Sequence, residues 1–342
     1  MKDFKGKIAF ITGGGSGAAL GQAKVFAKAG MRVAIADVRR DALHNAVSEI
    51  VDYAGCKVAD VLPLCFDLTD RKAYTAAADT VEKVFGGPPH LLIQTAGVNS
   101  FGPVESSTFD DYDWVMGVCL DHVVNGLVIF VPRMIKAYGG TDGVPKEEFH
   151  VVTTSSMGAM IKGPTTGPYS AAKAAVNNLM YSYAESLKPY GASATVLCPY
   201  NINSNIGDAE IYRPENLRNT GHHVSEGVLA SLRALYSHGI NPIELAEILK
   251  EGIESGRILV LPFRDVNIGL RLVHEANEEI EWYMMTAEEC RKKQEERKAD
   301  KTRYVPRFDD DPNPNARPEG AEPFGLARKD LDYVAPHKRS QN

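Results

Sequence analysis

Tyr169 stands four residues before Lys173 in Tyr-Ser-Ala-Ala-Lys, and Ser156 precedes that tyrosine by 13 residues. On a helix, a spacing of four puts phenol and amine one turn apart on the same face. A tyrosine is a useless base at its ordinary pKa of about 10. A neighbouring ammonium favours the phenolate and makes the group a usable acid and base near neutral pH. The bland reading of the isolated pair is a solvated helix face, so its weight depends on what accompanies it along the chain.

What accompanies it is a glycine-rich turn, Thr12-Gly13-Gly14-Gly15-Ser16-Gly17, between an apolar run and a helical one. There the backbone of Gly13, Gly15, Ser16, Gly17 and Ala18 is expected to approach a pyrophosphate closely, with the helix N-terminus adding partial positive charge. The turn does not fit G-x-G-x-x-G, whose third glycine falls on Ala18; it fits T-G-x-x-x-G-x-[GA], with Ala19 in the last slot. Asp37 lies 20 residues after Gly17 at the end of the second strand. A carboxylate there accepts from adenosine ribose hydroxyls and repels a 2′-phosphate, which favours NAD over NADP. The other reading of Asp37 is a turn or helix-cap carboxylate, and Arg39 and Arg40 are close enough in sequence to accept a phosphate. Asp67, followed by Leu68, either faces the adenine edge or caps the helix starting at 70, a task that Thr69 and Asp70 also suit. Ala96-Gly97, then Pro199 and Ile202, complete the expected cofactor contacts.

The elements that must position these residues alternate. Strands are expected at 8–12, 33–36, 61–66, 91–95, 149–154, 193–198 and near 258–260. Helices are expected at 17–30, 40–54, 70–85, 109–138, 168–189, 226–238 and 242–255. Strands separated by helices mean right-handed crossovers and a parallel sheet covered on both faces, and continuous apolar runs such as Leu91-Leu92-Ile93 suit strands buried on both sides. With 342 residues, 44% of them hydrophobic, one α/β domain at 1–262 with a C-terminal helical and Pro-rich extension at 263–342 is expected. A net charge of −6 argues against nucleic acid. Five scattered cysteines without C-x-x-C spacing give neither a zinc site nor a disulfide framework. The adjacent His222-His223 diverge and lack a third ligand, so no metal is expected. The first strand starts too early for a cleavable leader and no uninterrupted run of about 18 apolar residues occurs, so a reduced, cytoplasmic protein without membrane attachment is expected.

In this order, the glycine turn, Asp37, Ala96-Gly97, Ser156 and Tyr169/Lys173 resemble the short-chain dehydrogenase/reductase superfamily over roughly residues 5–262. The resemblance implies a Rossmann-type, doubly wound, seven-stranded parallel sheet with Ser156, Tyr169 and Lys173 as catalytic residues. Tyr169 would exchange the hydroxyl proton, Lys173 lower its pKa and hold the nicotinamide ribose, and Ser156 hydrogen-bond the substrate oxygen. It also implies a homodimer or homotetramer through helices 109–138 and 168–189. Three positions depart from the family pattern: Gln94-Thr95-Ala96-Gly97 for Asn-Asn-Ala-Gly, Pro199-Tyr200 for Pro-Gly, and Cys119 for an asparagine that holds a water linking the lysine to solvent. A thiol is a poor hydrogen-bonding substitute. Asn125 lies about 240° around an ordinary helix from it, and His122 is better placed, although a partly buried helix histidine is its plain reading. The stretches 121–127, 154–157 and 212–217 look like bacterial Cα-dehydrogenases that oxidise benzylic alcohols of lignin-derived aryl ethers.

Residues 200–226 read as a mobile loop over a cleft. Its Tyr200, Ile202, Ile206, Ile211, Tyr212 and Leu217, with Phe101, suggest an apolar pocket for a bulky, apolar or aromatic secondary alcohol or ketone. The expected activity is an NAD(H)-dependent alcohol dehydrogenase or ketoreductase. The competing reading, prompted by Cys119, Gln94 and Tyr200, is a dinucleotide-sensing protein that binds without turnover. Beyond 309, Phe324, Leu326, Leu331, Tyr333 and Val334 punctuate a Pro-rich tail that is either a loose terminus or an anchor across a neighbouring subunit.

Overall fold

The computed structural model describes residues 1–160, 163, 165–222, 224–262, 292 and 295. The C-terminal extension from 263 onward, with its tail anchors, lies outside the described residues apart from Lys292 and Glu295, as does His223. Among the described residues seven strands pair in the order β3-β2-β1-β4-β5-β6-β7, every neighbour parallel. They are β1 (Ile8–Thr12), β2 (Arg32–Asp37), β3 (Val61–Cys65), β4 (Leu91–Gln94), β5 (His150–Thr154), β6 (Ser193–Leu197) and β7 (Leu259–Val260). The helices are α1 (Gly17–Lys28), α2 (Arg40–Ala54), α3 (Arg71–Phe85), α4 (Phe109–Met116), α5 (His122–Tyr138), α6 (Gly167–Ser186), α7 (Glu226–Ser237) and α8 (Pro242–Glu254). All of these elements belong to one compact unit, Met1–Val266.

Alternation along the central strands splits the core in two. Phe10, Leu92, Val151 and Val196 meet Tyr74 of α3, Phe130 of α5 and Met180 of α6 on one face. Ala9, Ile11, Ile35, Ile93 and Val152 meet Phe26 of α1, Ile50 of α2 and Leu249 of α8 on the other. Strands buried on both faces have no polar side to present, which is why they read as unbroken apolar runs. Helix starts are fixed by side chains that satisfy the free N–H groups: Asp70 accepts from Lys72 and Ala73 at α3, and Thr108 and Asp111 form a reciprocal capping box at α4.

Two elements differ from the sequence expectation. The long helix is interrupted by a π-helical turn at Gly117–Asp121 that joins α4 to α5. The loop at 200–226 contains 3-10 turns at Asn205–Tyr212 and Glu215–Leu217, joined by bends and extended segments. The joined stretch Phe109–Tyr138 is long and apolar enough to cross a membrane by length and composition. In this fold its buried side covers the sheet, through Val123, Leu127, Phe130 and Met134.

Phe130 is fully buried and its ring centre lies 4.6 Å from that of Phe10 and 6.2 Å from that of Tyr74. Phe130→Ala is expected to lower unfolding free energy by about 3–5 kcal/mol in urea titration; a loss under about 1 kcal/mol would mean the α5 face is not packed as described.

Candidate active site

Strand order reverses between β1 and β4, and in such sheets the crevice beyond the carboxyl ends of the strands takes the ligand. A cleft of about 450 Å³ opens there. Gly13, Ser16, Gly17 and Ala18 line it, with Asp37, Asp67, Leu68, Ala96, Gly97, Pro199 and Ile202. Gly15 is not in the wall itself. Gly13 has φ +75°, and a Cβ there would stand 2.9 Å from Ala96 Cα, so only glycine lets the two turns touch. Ser16 is the N-cap of α1 but makes no side-chain cap bond, so the first amides of the helix present donors and positive dipole to an anion in the cleft.

Asp37 accepts from the Gly15 amide at 3.1 Å and the Arg39 amide at 3.0 Å. The Arg39 guanidinium bonds Asp37 Oδ1 at 3.3 Å, reaches Ser16 Oγ at 2.8 Å and lies 5.1 Å from the Tyr212 ring centre. Asp37 is thus both a turn carboxylate and a wall of the cleft, while Arg40 begins α2 outside the wall. Asp67 accepts from the Thr69 amide and hydroxyl, both at 2.8 Å, and faces the cleft; Asp70, not Asp67, caps α3. These side chains suit a dinucleotide: amides for a pyrophosphate, carboxylates at the ribose and adenine end.

A buried polar joint underlies the cleft. The Thr12 hydroxyl accepts from the Thr95 amide at 2.9 Å and the Ala96 amide at 3.2 Å, and lies 3.3 Å from His122 Nε2. Thr95 Oγ1 donates to Gln22 Oε1 at 2.6 Å and sits 2.7 Å from Thr154 Oγ1, which accepts from Gln22 Nε2 at 3.1 Å. The Gln94 amide, oriented by its surroundings, donates to the His122 and Val123 carbonyls at 3.3 and 3.0 Å. Gln94 and Thr95, the departures from the family pattern, therefore each have built partners.

Ser156, Tyr169 and Lys173 come together in the cleft wall. Ser156 leaves the end of β5, its Oγ accepting from the Gly158 amide at 3.0 Å and bonding the Tyr169 phenol. Lys173, one turn along α6, lies with Nζ 5.5 Å from the Tyr169 ring centre and donates to the Thr154 carbonyl at 2.8 Å. Burial dominates the electrostatics. It pushes the phenol well above its ordinary value, against the bond from Ser156, and pulls the Lys173 ammonium down. The expected lowering of the phenol by the lysine is not what this arrangement produces by itself.

Cys119 sits in the π turn, where its thiol donates to the Val98 carbonyl at 3.1 Å and accepts from the Val98 amide at 3.4 Å. It holds the strand-four loop through both backbone groups of Val98. His122 points instead to Thr12, is fully buried and is held neutral, its pKa pulled to about 3 chiefly by burial and then by Lys173. Asn125 turns to the Leu68 carbonyl and to Arg71. Neither lines the cleft.

On the substrate side Tyr200, Ile206 and Tyr212 line the cleft as expected, but Phe101, Ile211 and Leu217 do not. Leu217 packs behind with Trp114 and Val115, and Phe101 lies 6.2 Å from the Tyr236 ring. Trp114, Val118, Met157, Ala209, Pro214 and Tyr236 also line it; helix periodicity reads Trp114, Val118 and Tyr236 as core, and no residue pattern assigns the other three to the cleft. The lid is held by Arg213, whose side chain is 1% exposed. It bonds Asp111 at 2.7 Å and Glu210 at 3.3 Å, and stacks 4.8 Å over Trp114. Among the described residues no group of three His, Cys, Asp or Glu side chains is placed to hold a metal.

Residues 7–212 match the short chain dehydrogenase family. A C alpha-dehydrogenase of Sphingobium sp. strain SYK-6 is 47% identical over 270 residues, 79% of this chain and 85% of that protein. The crystal structure of the LigD apo form from the same strain superposes with TM-score 0.64 at 41% identity, covering 81% of this chain and 98% of that one. A short-chain dehydrogenase/reductase from Burkholderia phymatum in complex with NAD superposes with TM-score 0.72 at 31% identity, covering 81% and 96%. The chain belongs to the short-chain dehydrogenase/reductase family and is an oxidoreductase acting on CH–OH groups. Its cofactor is a nicotinamide dinucleotide, its substrate a small molecule.

Arg213→Met would leave Asp111 buried without its countercharge, an arrangement that costs about 3–5 kcal/mol. Denaturant titration is expected to show that loss, with part of it recovered when Asp111→Leu is added. A loss in the double variant equal to the sum of the two single losses would show that the pair is not coupled.

Proposed function

We propose that this protein is an NAD(H)-dependent dehydrogenase that interconverts a bulky, apolar or aromatic secondary alcohol and its ketone, with Tyr169 as general acid and base. The observation that carries the reading is the Ser156–Tyr169–Lys173 set in one wall of a cleft whose other end offers free helix amides and Asp37. The aromatic and apolar lining, with Trp114, Met157, Tyr200 and Tyr236, supports a large apolar substrate. Similarity to a C alpha-dehydrogenase supports an aryl carbinol within that class. Of the three departures that prompted the binding-only reading, Gln94 and Cys119 have structural partners and Tyr200 lines the cleft. Exposed Val128 on α5 and Tyr181 on α6 suit self-association through those helices.

A bound nicotinamide supplies the hydride acceptor in oxidation and the donor in reduction. Ser156 Oγ holds the substrate oxygen, and Tyr169 Oη takes the carbinol proton or returns it to the ketone oxygen. Lys173, anchored at the Thr154 carbonyl, places its charge beside the phenol and would hold the nicotinamide ribose. Because burial favours the neutral phenol, Tyr169 is ready to act as acid, and its action as base leans on that ammonium.

Tyr169→Phe is expected to lower kcat by about 10²–10⁴-fold while NADH affinity, read by fluorescence, stays within about threefold. More than about a tenth of wild-type turnover would remove Tyr169 from the acid/base role. For the cofactor, NAD should exceed NADP at least about tenfold in kcat/KM, a difference of about 1.4 kcal/mol. Asp37→Ala should narrow or reverse that preference as Arg39 loses its carboxylate partner. An unchanged ratio would show that Asp37 does not meet the ribose.

A further inference from the structure

We infer that His122 is a positioning residue for the cofactor: its neutral ring, protonated on Nδ1, takes the Thr12 hydroxyl hydrogen and so fixes the turn of Thr95, Ala96 and Gly97 against a bound dinucleotide. The inference rests on the dinucleotide cleft and is independent of the alcohol proposed above. His122 is fully buried and does not line the cleft, so it acts through a neighbour. That neighbour is Thr12.

A hydroxyl has one hydrogen to donate and two lone pairs that accept. The Thr12 oxygen already accepts from the Thr95 amide at 2.9 Å and the Ala96 amide at 3.2 Å, and His122 Nε2 stands 3.3 Å from it. The hydrogen therefore goes to Nε2. In the other tautomer three N–H groups would converge on one oxygen, and the hydroxyl hydrogen would lose that acceptor. The ring proton is thus on Nδ1, with the Val118 carbonyl beside the ring in a contact short of a full hydrogen bond. The π turn brings this about, because the His122 amide bonds the Gly117 carbonyl five residues back rather than Val118 four back. Burial, and then the Lys173 ammonium, pull the ring's pKa to about 3, so Nε2 stays an acceptor across the neutral range. What the ring controls lies at the cofactor. Thr95, Ala96 and Gly97 line the cleft, and a Cβ on Gly13 would stand 2.9 Å from Ala96 Cα, so the two turns meet without slack. Groups that touch a ligand keep their geometry only when the side chains behind them are fixed. Without the acceptor the Thr12 hydroxyl is free to rotate, and its lone pairs are no longer aimed at both amides.

The test reads NADH affinity by fluorescence in the full-length protein, without substrate, for wild type, His122→Leu, Thr12→Val and the double variant. His122→Leu, which removes the acceptor at similar volume, should weaken NADH by about fivefold or more. The double variant should lose no more than about twofold beyond Thr12→Val, because the ring acts through the hydroxyl. His122→Gln, whose amide oxygen can stand in for Nε2, should stay within about threefold of wild type. NMR of isotope-labelled histidine in wild type should show one ring protonated on Nδ1 that does not titrate between about pH 5 and pH 9. Unchanged NADH affinity in His122→Leu, losses that add in the double variant, a proton on Nε2, or titration in that window each overturn the assignment. Thermal melts accompany every variant, and where one does not fold the wild-type tautomer decides. A wild type that binds no NADH removes the NAD reading instead; the comparison is then run with NADPH and decides the role of His122 by the same criteria.

Discussion

A parallel sheet brings all its strand ends to one edge, and the turns leaving that edge carry backbone donors into a place where water is scarce. In this protein the Thr12 hydroxyl resolves the problem at the centre of the sheet. It accepts from the amides of Thr95 and Ala96 and so binds the turn after β4 to the end of β1. Thr95 then passes the connection to Gln22 of α1 and Thr154 of β5. The glycine turn, the Ala96-Gly97 turn and the segment bearing Ser156 are consequently held by one network of short bonds. An orphaned buried amide costs about 1–3 kcal/mol, so none of the three turns moves without disturbing the others. The distance between a phosphate cradle and a catalytic hydroxyl is set by side chains that touch neither ligand.

Desolvation works in the same region, and its sign matters for the chemistry. Tyr169, Lys173 and Cys119 are all driven towards their neutral forms by burial. The Lys173 ammonium, 5.5 Å from the centre of the phenol ring, favours the phenolate, and burial opposes it. Further stabilisation of the phenolate has to come from hydrogen bonds at its oxygen, and Ser156 is the one already in position. Lys173 keeps its own proton best while bonded to the Thr154 carbonyl, which ties its charge to the polar joint under the cleft. In the proposed role of Tyr169, acid/base competence depends on the joint as much as on the Tyr-x-x-x-Lys pair.

Where the physics is local, the chain is legible. Unbroken apolar runs mark the doubly covered strands, and all seven lie within a residue or two of where periodicity places them. The glycine turn and the Ser156, Tyr169 and Lys173 set sit on one cleft because their order along an alternating chain leaves a parallel sheet no other edge to use. The features that cannot be read this way depend on partners distant in sequence. The role of Cys119 depends on Val98 meeting it across a π turn that no residue pattern announces. Residues 200–226 read as irregular because the side chain ordering them, Arg213, finds Asp111 more than a hundred positions earlier. Ordinary helix geometry favours His122 over Asn125 as a stand-in at the Cys119 position, but the π turn rotates the residues beyond it, and the ring ends under Thr12.

The Arg213 contact bears on what kind of lid this is. An exposed ion pair contributes little and would allow the 3-10 segments to swing with the solvent. A fully buried guanidinium behaves differently, because leaving Asp111 exposes two charges that have been desolvated together. The lid residues nearest Arg213, Ala209 and Pro214, are therefore fixed wall rather than moving gate, and Trp114 is pressed against the guanidinium from the cleft side. Tyr200 and Tyr212 are about half exposed, and both face the cleft. Tyr212 also lies beside Arg39 at the cofactor end, so a dinucleotide that engages Arg39 and Asp37 changes the surroundings of a substrate-facing aromatic ring. The two ends of the cleft thus share a side chain, and the wall that Arg213 fixes sets its shape between them.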